Sequence, residues 1–141
     1  MAGVRPDDSG AAEVMRYHDH SLCGYEVRDF GGTIVFHLQL KASDGTAALS
    51  TICFDGVVFY HFIHTCPAVI LDVTEIPLQK FVSEHQEQLS KWQTQQGVIH
   101  WSDSSSDYLA TLRSESVKAW IIESAIGFTG CVLAKQVRQI E

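Results

Sequence analysis

Tyr17-His18-Asp19-His20 concentrates more ionisable chemistry than any other stretch of this 141-residue chain. On an extended backbone His18 and His20, two residues apart, point the same way, so both could reach one metal ion. His61 and His64 supply two more imidazoles and Asp55 or Asp72 a carboxylate. A divalent zinc, iron or manganese ion held by such a set could activate water for hydrolysis. The competing role is structural: His18 and Asp19 can hydrogen-bond nearby backbone where the chain enters a strand, or touch a partner.

The remaining candidates are sparser. Glu123 interrupts the run Trp120-Ile121-Ile122, and a carboxylate among strand residues either carries a shifted pKa or points outward. Cys53 or Cys66 beside His64 could form a thiol pair, but Cys53 lies between Ile52 and Phe54, where a buried, inert thiol is expected. No serine sits in a G-x-S-x-G elbow. The glycine pairs at Gly31-Gly32 and Gly127 to Gly130 lack the spacing of a phosphate cradle. No catalytic residue and no resident cofactor is assigned from these patterns.

Seventeen acidic against ten basic side chains give a formal charge of −7. Phosphate backbones need a concentrated basic face, so nucleic acid is not an expected partner. An anionic membrane surface is disfavoured for the same reason, whereas a basic protein would be attracted. No apolar run approaches the roughly 18 residues of a membrane span. Residues 1–15 lack the charged-then-apolar order of a signal peptide. The four cysteines show no C-x-x-C spacing and lie mostly in apolar runs, which predicts buried, reduced thiols in a cytoplasmic protein.

These side chains need a scaffold, and the patterning predicts one. Residues 1–14 read as a flexible tail and 15–141 as a single α+β domain. Thr33 to Lys41 alternates apolar and polar residues, with Gly31-Gly32 and Asp44-Gly45 as flanking turns. Strands follow from Ala48 to His64, broken at Asp55-Gly56, and from Val69 to Thr74 after Pro67. Pro77 opens a helix whose stripe is Leu78, Phe81, Val82, His85, Leu89 and Trp92. A short helix capped by Ser104 or Ser105 is expected over Ser105 to Arg113, then a closing hairpin around Gly127 and Gly130. The predicted fold is a mostly antiparallel sheet of about six to eight strands packed against one long and one short helix.

Tyr17-His18-Asp19 leading into a strand, the Phe54-Asp55-Gly56-Val57 step, the Ile70-Leu71-Asp72-Val73 strand and the Ala119 to Ala134 hairpin resemble small uncharacterised bacterial domains. Some of these are grouped with immunity proteins of polymorphic toxin systems. That resemblance implies a non-catalytic protein that binds another protein and assigns no contact residues. His20 and the His61/His64 pair are not part of it. The leading expectation is therefore a cytoplasmic protein-binding domain with a basic partner, and the alternative a metal-dependent hydrolase or small-ligand enzyme built on His18 and His20. A homodimer through a sheet edge or through Trp101 is a further expectation.

Overall fold

Among the described residues, alternating apolar side chains build one antiparallel sheet of six strands. The computed structural model describes residues 14–41, 44–95, 97–98, 101 and 104–140. The strands are β1 (Val14–Arg28), β2 (Thr33–Lys41), β3 (Ala47–Asp55), β4 (Phe59–Ile76), β5 (Lys118–Ala134) and β6 (Gln136–Ile140). Helix α1 (Leu78–Gln95) and helix α2 (Ser105–Ser114) intervene between β4 and β5. The order across the sheet is β5-β4-β1-β2-β3-β6. An α+β architecture with a mostly antiparallel sheet and two helices is thus in place. Among the described residues no helix is long and apolar enough to cross a membrane. The expected tail falls largely on residues 1–13, outside those described.

Strand β2 has the boundaries its alternation predicts, and Ile34, Phe36 and Leu38 are buried. They join Ile52, Phe54, Ala68, Ile70, Val73, Trp120, Ile122, Phe128, Val132 and Ala134 in one core. The opposite face of β5 contributes Ala119, Cys131 and Leu133 to a second core with Phe81, Val82 and Leu89 of α1 and Tyr108 and Leu112 of α2. Even-numbered residues of β5 thus serve one core and odd-numbered residues the other, as a period of two requires. Ser104 caps α2, its Oγ accepting from the Asp107 N–H at 3.3 Å, and Asp107 complements the helix dipole.

Four expectations are corrected. Tyr17 to His20 does not precede the first strand but lies inside β1. Pro67 does not open a strand; β4 runs through it. The ladder to β5 slips between His64 and Val69, so Pro67 is spared a ladder bond it could not donate to. Gly127 and Gly130 do not turn the chain either. Gly127, at φ +83, sits where a Cβ would fall 1.8 Å from the Pro67 carbonyl oxygen, and one at Gly130 would meet the Phe128 and Phe62 rings. Both glycines therefore serve close approach within a continuous β5. Finally, Trp101 is buried, its indole N–H donating to Ser90 Oγ at 3.2 Å, and is no docking aromatic.

The chain from Lys118 to Ile140 borders the sheet on both sides. As β5 it pairs with β4, from Phe59↔Leu133 to Ile76↔Ala119; as β6 it pairs with β3, from Asp55↔Gln136 to Thr51↔Ile140. Between them Lys135 donates its N–H to the Asp55 carbonyl at 3.0 Å, and the Val58 N–H bonds the Leu133 carbonyl at 2.9 Å. A six-stranded sheet whose two outer strands are neighbours in sequence must curl, so the first core lies inside the curl.

Candidate functional site

Among the described residues, the imidazoles named from the sequence are not gathered into a metal-ligand set. His61 and His64 are three apart on a strand and face opposite sides. His61 stacks on Trp92 of α1 at 4.3 Å between ring centroids, while His64 lies against Tyr25 at 5.8 Å and Phe128 at 5.6 Å. His20 pairs with Ile70 in the β1–β4 ladder. The side chains of His18 and Asp19 lie outside those described. Among the described residues no group of three or more His, Cys, Asp or Glu could hold a metal ion. His85, unremarked as chemistry in the sequence, shares a cavity of about 280 Å³ with His61, Trp92 and Cys131. Its Nδ1 donates to the Phe81 carbonyl at 2.8 Å, and its ring stacks on Phe81 at 4.2 Å.

The thiols and carboxylates are placed as structure. Burial pushes the Cys131 thiol up to about 12. Cys53 is also raised, by burial first and by the Asp55 carboxylate second. A thiol held protonated is a poor nucleophile. Cys23 and Cys66 are free and exposed, contrary to the expectation of mostly buried thiols. Glu123 is exposed and faces Asp72 across the ladder, beside Lys80 and Glu84 in a cleft of about 300 Å³. On the outer face of the sheet Arg138 donates to Asp55 at 2.6 Å and to Cys53 Sγ at 3.2 Å, lowering the Asp55 pKa. Nearby, Glu26 takes hydrogen bonds from Arg28 and pairs with His37 Nε2 at 2.6 Å, and its pKa falls, the His37 bond contributing most.

A different place concentrates unusual geometry. The β1–β2 connection is a single 3-10 turn, Asp29–Gly31, in which Asp29 (φ 54) and Phe30 (φ 57) both adopt left-handed backbone. Each costs on the order of 1–2 kcal/mol. The turn is held by the Gly32 N–H donating to the Asp29 carbonyl at 3.0 Å and by the Thr33 hydroxyl donating to Asp29 Oδ2 at 3.1 Å. Its product is a phenylalanine with its whole side chain in solvent. Phe30 stands on the rim of an open cavity of about 680 Å³ lined by Asp29, Gly32, Val57, Phe59, Tyr60 and Phe62, with His61 and Gly97 also bordering it. Sequence reading took Gly31-Gly32 as a turn and passed over the aromatic before it. The signal was there, since a Phe beside a glycine doublet at a turn has no core to enter.

Beside that cavity the sheet is split. The β1–β4 ladder runs from Val14↔Thr74 to Ser21↔Val69 and goes no further among the described residues. Below it, among the described residues, Leu22 to Arg28 pair only with β2, and Phe59 to His64 only with β5. The Val57 N–H, donating to the Gly32 carbonyl at 2.9 Å, closes the lower end. Tyr25 bridges the split on its inner side, its ring 5.3 Å from Phe62.

No protein-family model matches the chain, and no curated protein matches it. Among solved structures it is similar to an uncharacterized protein from Neisseria gonorrhoeae, at 10% sequence identity and a TM-score of 0.50, over 92% of this chain and 97% of that one. At that identity the likeness is one of fold.

Proposed function

We propose that this chain is a non-enzymatic binding domain that recognises another protein, in the cytoplasm, with a basic partner favoured by the −7 charge. The observation that supports it is Phe30. A fully exposed aromatic on a strained turn, at the rim of an open cavity, is an anchor waiting for a pocket. Strain of this kind is retained where display of the side chain matters. The raised Cys53 and Cys131 thiols and the separation of His61 from His64 favour binding over thiol or histidine-cluster chemistry. A role among toxin-neutralising immunity proteins, which the sequence resemblance implies, is the form of this reading with the most definite partner class.

A photo-reactive benzoylphenylalanine at position 30 tests it in the cells that make the protein. A discrete cross-linked partner, absent when the probe is moved to the outer-face position Leu49 and weakened by salt, is the expected result. Equal capture at both positions, or cross-linking to a second copy alone, would overturn it.

A further inference from the structure

Resting on that reading, we infer that the split between β1 and β4 accepts an extended, basic segment of the partner as an added strand along the Phe59–Thr65 edge of β4. Edge strands invite pairing because their N–H and C=O groups are unused on one side. Proteins guard such edges with lysine, proline or a covering element. Phe59–Thr65 contains no lysine, arginine, carboxylate or proline, while Leu22–Arg28 carries the mutually bonded Glu26 and Arg28, and among the described residues neither segment pairs with the other. Both lie within the interior of the sheet, flanked by β2 on one side and β5 on the other. An incoming strand would thus find a neighbour on each side.

The lining selects the guest. Of the described residues around the 680 Å³ cavity at the lower end of the split, Asp29 alone carries a formal charge, and the rest are glycine, valine, aromatic rings and one histidine. Alternate residues of an added strand point to opposite faces. One set would lie over Tyr25, Phe62 and His64, which bridge the inner side at 5.3 and 5.8 Å. The other would face outward, towards Asp29 at the lower end and Glu26 on β1. An alternation of apolar and basic residues satisfies both, and main-chain bonds supply affinity as in other strand additions. Phe30 would then clamp the end of the guest or enter a pocket beside it.

The probe is a synthetic ten-residue peptide alternating valine and lysine, read by amide hydrogen exchange on the full chain. In the free protein, half of the Phe59–Thr65 amides, those turned away from β5, should exchange fast. The peptide should slow them at least tenfold. A version with two central prolines and a valine–glutamate version should do neither, and D29N should weaken the effect severalfold at unchanged melting temperature. Amides already protected without peptide, equal action of the proline version, or protection confined to β6 would overturn the inference. Capture at position 30 needs no strand addition. Capture without β4 protection therefore sinks this inference alone, whereas failed capture sinks the reading beneath it.

Discussion

Gly127 and Gly45 share a left-handed backbone, at φ +83 and +88, but not a neighbourhood. A Cβ at Gly45 meets nothing within 4 Å, whereas one at Gly127 would sit 1.8 Å from the Pro67 carbonyl oxygen. Gly45→Ala should therefore cost about 1–2 kcal/mol, from backbone strain alone. Gly127→Ala adds a main-chain clash and should cost about 3 kcal/mol or more in urea unfolding; equal costs would mean that β5 relaxes around the bulge. The Tyr108 hydroxyl is buried with no hydrogen-bond partner among the described residues, and burial raises its pKa. Removing an unsatisfied polar atom relieves its desolvation penalty, so Tyr108→Phe should be neutral or stabilising by about 1 kcal/mol. A loss of stability would reveal a partner for that oxygen. The cysteines divide just as sharply. Iodoacetamide should modify exposed Cys23 and Cys66 in the native protein and reach Cys53 and Cys131 only on unfolding, as peptide mass mapping would show.

Elements were legible where their cause is local. Alternation fixed β2 to the residue, and the stripe from Leu78 to Trp92 located α1 because burial of Phe81, Val82 and Leu89 follows the helical period. Leu89 is fully buried, so Leu89→Ala should cost about 2–5 kcal/mol in the same unfolding assay, against about 0.5 or less for exposed Leu49→Ala. What could not be read is non-local. Gly127 and Gly130 look like a turn in one dimension and prove to be points of close approach only once Pro67, Phe62 and Phe128 are beside them. Opposite orientation of His61 and His64 does follow from their spacing of three, but only after both are known to share β4. The split between β1 and β4 left no mark on the sequence, since it arises from where one ladder stops.

For the whole molecule, the decisive contacts are those that join its margins. Arg138 on β6 holds Asp55 on β3, and the lowered Asp55 pKa means that this pair stabilises the fold above the ordinary carboxylate value of 3.8. Its contribution is lost as pH falls through the lower folded-state value. Arg138→Gln should thus lower stability slightly at neutral pH, with the difference from the parent vanishing in strong acid; urea titrations from pH 7 to pH 2 would measure it. The effect is small because both side chains are partly solvated. Far larger is the effect of covalent continuity. Lys135 is a clasp: with the outermost strands spliced into one ribbon there, the rim cannot gape on that side without tearing a run of main-chain bonds. Any breathing of the curled wall must then be taken up along the seam under Tyr25, where ring contacts cross and, among the described residues, no ladder bond does.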